Sequence, residues 1–194
     1  MRTIKLTEET RKDLLEKLLK RSPNCYGEYE GRVTEIVNTV RAEGDKALFD
    51  YTERFDRAKI TVENIRVTED EIKTAYEEVD PELLSVIRKA LVNIRSYHEK
   101  QLKQSWFESQ PSGIILGQKV QALATVGVYV PGGKAVYPSS VLMNIVPAKV
   151  AGVEKIIMCT PCSPEGKVCA STLVAAREAG VDEIYKAGGA QAIA

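Results

Sequence analysis

The stretch that decides the fold is Ala124–Lys149, which reads ATVGVYVPGGKAVYPSSVLMNIVPAK. Its first residues alternate valines with other side chains, and this β-branched pattern is typical of a strand. Pro131-Gly132-Gly133 then ends the strand, since glycines let the backbone turn sharply. A helix with Ser139 or Ser140 as N-cap is predicted to follow. A strand, a glycine turn and a helix N-terminus together form a geometry that can hold an anion or a nucleotide.

The same alternation of strand and helix continues to the end of the chain. Strands are predicted at Val126–Val130, Lys155–Cys159 and Glu183–Lys186, and helices at Ser139–Ala151 and Val168–Ala179. Strands that alternate with helices of this length favour a parallel sheet with right-handed crossovers. The sequence therefore predicts an α/β fold whose second part is a βαβαβ unit, about half of a doubly wound nucleotide-binding fold.

The first part of the chain is predicted to be mostly helical. The sequence indicates helices over residues 8–20, 29–43, 45–55 and 81–103, a further helix that begins at Thr68, and a short strand at 65–67. Thr68 and Glu71 have the spacing of a capping box. A β-hairpin with its turn near Gly117-Gln118 is predicted over residues 109–123. We therefore expect two domains: a helical region at 1–108 and an incomplete Rossmann-like domain at 109–194.

Composition excludes several classes of partner. The 27 basic and 27 acidic residues leave no net charge, which argues against nucleic acid as the main partner. No apolar run is long enough to span a bilayer, and the N-terminus lacks the apolar core of a secretory signal. We therefore expect a cytoplasmic protein with no membrane partner, whose four cysteines are reduced thiols.

A second glycine turn is predicted at the same edge of the sheet as the first. Gly188-Gly189 follows the last strand, and Gln191 comes directly after it. Ligands of open α/β sheets bind at the carboxyl ends of the strands. Two turns on this edge favour nucleotide binding over simple strand-end turns. Tyr129, one residue before the end of the first strand, is placed to meet an adenine or a ribose.

Cysteines and the single histidine give a weaker signal. Cys159 and Cys162 have CxxC spacing and Cys169 follows, which leaves zinc binding, a redox pair or a nucleophilic cysteine open. No second CxxC or histidine cluster completes a metal site. His98 lies in a predicted helix among polar neighbours, where a solvated or locally bonded imidazole is the common case.

The longest motifs identify a family. VGVYVPGGKAVYPSSVLMNIVPAKVAGVEKIIMCTPC and AGVDEIYKAGGAQAIA closely resemble histidinol dehydrogenase, and NIRSYHEKQLKQSW before them is similar to the same family. The resemblance implies an enzyme that oxidises L-histidinol to L-histidine with NAD and a bound zinc. It also implies a cytoplasmic homodimer with two incomplete Rossmann-like domains and smaller extensions.

The resemblance assigns cofactor contacts residue by residue. The tyrosine of the family's VGxYxPGG motif is Tyr129 and the glutamine of GGAQAI is Gln191; Pro131 and Gly132 belong to the same loop and are predicted to contact NAD. The family's glutamate–histidine pair, zinc ligands and most contacts to the substrate L-histidinol are expected beyond Ala194. The chain is therefore expected to be the N-terminal part of the enzyme, with no catalytic and no zinc-binding residue of its own.

Two alternatives to this assignment remain. The chain could be a catalytically silent nucleotide-binding or oligomerisation module that shares the fold. It could also belong to another NAD-dependent dehydrogenase that uses Cys159 or Cys162 as a nucleophile. A downstream Glu-His pair with further histidines would favour the enzyme, and thiol alkylation without loss of activity would eliminate the cysteine mechanism.

Overall fold

A computed structural model of the chain describes residues 26–133 and 136–194, together with Lys5, Thr7, Glu8 and residues 10–12. The helix predicted over residues 8–20 lies mostly outside these residues. Within the described part of the chain, none of the helices combines the length and the apolar character that a membrane crossing requires.

Four helices make up the described part of the first region. They are α1 (Gly27–Glu43), α2 (Asp45–Asp56), α3 (Glu69–Glu78) and α4 (Pro81–Glu99). Gly44 separates α1 from α2 with a φ of +61°, a backbone conformation that glycine adopts without strain.

The starts of α3 and α4 follow their sequence signals. The Thr68 hydroxyl accepts from the Glu71 backbone N–H, and the Glu71 carboxylate accepts from the Thr68 N–H, so the predicted capping box is present. Asp80 accepts from the Glu82 N–H with Pro81 at the first helical position.

The connection from α4 to the sheet differs from the prediction in two places. The helix α4 ends at Glu99 rather than near residue 103, because the next residues form single turns with bonds such as Gln101 N–H to His98 C=O. The hairpin pairs β1 (Trp106–Ser109) with β2 (Ile115–Gln118), so the turn predicted near Gly117-Gln118 is wrong. Its turn lies at residues 110–113, where Gly113 has a φ of +82°.

The parallel sheet has the predicted βαβαβ connection. Its strands are β3 (Thr125–Tyr129), β4 (Lys155–Thr160) and β5 (Glu183–Lys186), joined by the helices α5 (Pro138–Val150) and α6 (Ala170–Ala179). The strand order is β3-β4-β5, so β4 is central. The α/β class, the hairpin and the incomplete Rossmann-like unit are thus confirmed.

The first turn of α5 begins earlier than predicted. Tyr137 is the N-cap and Pro138 occupies the first helical position, so Ser139 and Ser140 lie inside the helix and neither caps it. Proline favours this position because its φ is already helical and it has no N–H to leave unpaired. The Tyr137 side chain makes no capping hydrogen bond.

The short strand predicted at residues 65–67 is a single antiparallel bridge to β5. Arg66 pairs with Tyr185, with hydrogen bonds from the Val67 N–H to the Ile184 C=O and from the Lys186 N–H to the Ile65 C=O. The segment between α2 and α3 therefore fixes the outer edge of β5.

The two faces of the sheet are covered unequally. One face is packed: Ile156, Met158 and Ile184 are buried in one apolar cluster with residues of α3, α4, α5 and α6. The opposite face carries Gly127, Ile157 and Cys159, which are exposed or half-buried. Both crossover helices lie on the packed face because both right-handed connections run in the same direction along the sheet.

Candidate functional site

The candidate site is the carboxyl edge of the parallel sheet. In the strand register, Tyr129 lies beside Cys159 and Cys159 lies beside Tyr185. Three turns leave this edge side by side: one at residues 131–133, one at 161–164 and one at 187–189. The predicted cofactor residues lie in the first and third turns or next to them.

The Tyr129 side chain connects the end of β3, just before the first turn, to the third turn. Its phenol oxygen accepts a hydrogen bond from the backbone N–H of Gly189, with 3.1 Å between oxygen and nitrogen. The half-buried side chain thus reaches past the end of β4. The sequence predicted a ring beside the Pro131-Gly132-Gly133 turn; the hydroxyl contacts the other glycine turn.

Gln191 lies directly beyond that contact, in the single 3₁₀ turn Ala190–Ala192. Its side chain is only 3% exposed, and neither amide atom has a hydrogen-bond partner among the described residues. A buried polar group without a partner costs about 1–3 kcal/mol. A ligand that both donates and accepts a hydrogen bond would remove this cost.

The third turn is packed against its neighbours. A Cβ built on Gly188 would lie 2.6 Å from the Cβ of Pro161 and 3.2 Å from Oδ2 of Asp56. A Cβ on Gly189, which has a φ of +64°, would lie 2.5 Å from Oε1 of Gln191. Both glycines therefore make room for this protein's own side chains.

The first turn is open. Pro131, Gly132 and Gly133 are exposed, and Gly133 has a φ of +97° with no atom of the described residues within 4 Å of a Cβ built on it. Gly132 faces Pro161, whose Cγ would lie 3.0 Å from such a Cβ. The backbone at Gly133 is thus accessible to a ligand.

Two cavities flank the edge. The larger, about 720 Å³, is lined by Gly133, by residues of the second turn and by Phe55 and Asp56 from the end of α2. The smaller, about 430 Å³, contains Gln191 and apolar side chains such as Leu48 and Phe49. Their volumes fall in the range of small-molecule sites.

Asp56 is a site residue that the sequence analysis missed. Its Oδ2 is buried without a partner among the described residues, and burial raises the pKa of its carboxyl group. It comes from a helix far upstream and no motif marks it. Only the packing of α2 against the turn at Gly188 brings it to the edge.

The cysteines do not form an activated pair. Cys159, Cys162 and Cys169 are free thiols. Burial raises the pKa of Cys159 and of Cys162, and the nearby Asp56 carboxylate raises that of Cys162 further. A raised pKa lowers the thiolate fraction, which is opposite to what a nucleophilic cysteine needs.

The described residues do not fit a zinc site. Across residues 26–133 and 136–194, no three histidine, cysteine, aspartate or glutamate side chains lie close enough together to hold a metal ion. The His98 ring makes a local contact instead, with 2.7 Å between its Nδ1 and Oε1 of Gln101.

Sequence comparison places these features in a family. The family model described as histidinol dehydrogenase matches residues 19–194. The histidinol dehydrogenase of Heliobacterium mobile is 56% identical over 163 residues, which are 84% of this chain and 38% of that protein. The enzyme of Bacillus subtilis is 51% identical over 177 residues, covering 91% of this chain and 41% of the relative.

A solved structure agrees with the sequence comparison. The crystal structure of histidinol dehydrogenase from Elizabethkingia anophelis superposes with a TM-score of 0.78 at 36% identity, covering 85% of this chain and 38% of that one. The chain thus spans about two fifths of the length of the relatives it matches. The chain belongs to the histidinol dehydrogenase family.

Proposed function

We propose that this chain supplies part of the NAD site of an enzyme that oxidises L-histidinol to L-histidine in histidine biosynthesis. The observation that carries the proposal is the buried Gln191 amide, which lacks a partner among the described residues and lies beside Tyr129 at the carboxyl edge. Family membership supplies the substrate and the reaction, since the relatives it matches are named histidinol dehydrogenases.

Four residues form the proposed cofactor contacts. Gln191 offers an amide donor and acceptor, and Tyr129 keeps its hydroxyl hydrogen free after accepting from Gly189. Pro131 and Gly132 line the open turn, where the backbone can approach a dinucleotide. NAD accepts the hydride when bound, and the contribution of these residues is to bind and orient it.

The acid–base and metal chemistry belongs elsewhere in this proposal. Zinc, bound by the whole enzyme, would have ligands outside this chain, because the described residues offer no matching cluster. The base that takes the hydroxyl proton of histidinol would likewise lie outside this chain. We further propose a cytoplasmic homodimer without nucleic-acid or membrane partners, and a domain boundary near residue 108.

Two measurements on the purified chain test the proposal. Calorimetric titration with NAD+ should detect binding that Gln191→Ala weakens, and an assay with NAD+, zinc and histidinol should show no NADH above background. Binding that Gln191→Ala does not weaken would contradict the assigned cofactor contact. Robust turnover would show that the catalytic groups lie within this chain.

A further inference from the structure

The bond between Tyr129 and Gly189 links two elements that are 60 residues apart in sequence. The donor is a backbone amide in a turn, and the acceptor is a tyrosine hydroxyl on a strand. Because β3 and β5 are separated by β4, this bond ties the outer strands together at their carboxyl ends. The bond gives the Tyr129 hydroxyl a partner within the protein, in addition to the adenine or ribose that the sequence predicted it to meet.

The conformation of the turn determines where the Gln191 amide lies. Gly189 has a φ of +64°, and Oε1 of Gln191 packs where its Cβ would be. A change in the Gly189 backbone would therefore displace the amide. The backbone N–H of Gly189 is bonded to the Tyr129 hydroxyl, and this bond limits such a change.

We propose that Tyr129 is a positioning residue: its hydroxyl fixes the Gly188-Gly189 turn and thereby places the Gln191 amide for the dinucleotide. This inference rests on the proposed NAD site and adds to it a dependence of Gln191 on Tyr129. The Gly189 N–H is then not a phosphate donor, since it is already paired, and the third turn presents a side chain to the cofactor rather than its backbone.

A neighbouring tyrosine provides the matched control for loss of the bond to Gly189. Tyr185 lies on the same face of the sheet as Tyr129, two strands away on β5, and its hydroxyl donates to Oε2 of Glu183 at 2.8 Å. Tyr185→Phe removes one tyrosine hydroxyl bond without touching the turn. Tyr129→Phe removes the bond to Gly189 and keeps the ring.

The test is a double-mutant cycle on NAD+ affinity, measured by calorimetry on the wild type, Tyr129→Phe, Gln191→Ala and the double variant. We expect Tyr129→Phe to raise the Kd about three- to tenfold, the range for one neutral hydrogen bond. In the Gln191→Ala background the same change should raise the Kd by a clearly smaller factor, because only the direct contact of the Tyr129 hydroxyl is then left to lose. Tyr76→Phe, which removes a tyrosine hydroxyl bond to Oε1 of Glu178 on α6, should leave the Kd unchanged.

Amide exchange provides the second readout. NMR should show the Gly189 amide hydrogen exchanging slowly in the wild type and in Tyr185→Phe, and faster in Tyr129→Phe. Thermal unfolding checks that each variant is folded. Slow exchange of the Gly189 amide hydrogen can be measured on the wild type alone, so that part of the test does not depend on any variant folding.

Three outcomes would count against the inference. Equal loss of affinity in both backgrounds, or unchanged Gly189 exchange in Tyr129→Phe, would overturn the positioning role while leaving the NAD site intact. Rapid Gly189 exchange in the wild type would do the same. An unchanged Kd in Gln191→Ala would remove Gln191 from the NAD site and overturn the proposed function itself.

Discussion

The two glycine turns at the carboxyl edge look alike in sequence and differ in their surroundings. Gly132-Gly133 is exposed, and Gly133 has open space around it among the described residues. Gly188 is buried against Pro161 and Asp56, whereas Gly189 is exposed and leaves no room for a Cβ beside the Gln191 side chain. Both turns need a glycine for the backbone conformation, Gly133 in the first and Gly189 in the second. The second turn also needs Gly188 to accommodate the atoms of Pro161 and Asp56.

This difference assigns different roles to the two turns. An open turn can let a dinucleotide approach the backbone. In the second turn, close packing restricts the backbone and thereby fixes the position of the residue that follows, Gln191. The pair GG in a sequence therefore predicts a turn, while its role depends on what the fold packs against it.

The largest expected effect comes from filling the space beside Gly188. Gly188→Ala should lower the free energy of unfolding by about 3 kcal/mol, since its Cβ would collide with the proline ring of Pro161. Urea denaturation measures this, with Gly127→Ala as control, because nothing lies within 4 Å of a Cβ there. Equal free energies of unfolding for the two variants would show that the turn at Gly188 accommodates the added methyl group at little cost.

The upstream end of the second glycine turn is held by an ion pair. Lys186, only 6% exposed, has its Nζ 2.6 Å from Oε1 of Glu71. Glu71→Gln should cost about 2 kcal/mol at pH 7, because it leaves a buried ammonium group without its counter-ion. Urea denaturation at several pH values measures the loss.

The stability that the Glu71–Lys186 ion pair contributes depends on pH, and the pKa of Glu71 determines in which direction. Burial pushes the pKa of Glu71 upward, but hydrogen bonds from Lys186 and Thr68 outweigh it and leave the pKa below its usual value. The stabilisation is therefore present above the unfolded pKa, about 4.3, and is lost as the pH falls through the folded value. A difference between wild type and Glu71→Gln that persists at pH 2 would contradict this origin.

A smaller effect is expected on cofactor binding. In the full-length enzyme, Tyr129→Ala should raise KM for NAD+ by the equivalent of about 1–2 kcal/mol, because it removes an aromatic contact that is equal in ground and transition states. KM for histidinol and zinc content should change little. Steady-state kinetics measures this, with thermal unfolding as control; a folded variant with wild-type KM would make Tyr129 purely structural.

The smallest effect concerns the thiols between the two turns. Cys169 is exposed, whereas burial raises the pKa of Cys159 and Cys162. With iodoacetamide at pH 8, Cys169 should react on the order of tenfold faster than either. Mass spectrometry of timed samples locates the label. Preferential labelling of Cys162 would instead indicate an activated thiol and revive the cysteine mechanism.

Local signals predicted much of the fold. The bounds of β5 and the capping box at Thr68 match the structure, because strand alternation and capping depend on residues close in sequence. The hairpin turn was misplaced because Gly117 resembles a turn residue, while the actual turn at residues 110–113 contains Pro111 and Gly113. Local patterns thus failed here because Gly113 and Gly117 were both candidates for the same turn.

The site could be predicted only in part. Tyr129 and Gln191 were assigned to the same edge, and the structure brings them together through Gly189. Their direct link, the packing around Gly188 and the presence of Asp56 depend on contacts between distant segments. A sequence pattern contains no information on such packing unless a motif marks both partners.

The most direct test of the cofactor edge is NMR chemical-shift mapping of the isotope-labelled chain during titration with NAD+. We predict the largest shifts at Gly132, Gly133 and the Gln191 side-chain amide, with smaller ones at Gly189. Shifts confined to the hairpin or to α1, with the carboxyl edge unchanged, would contradict it.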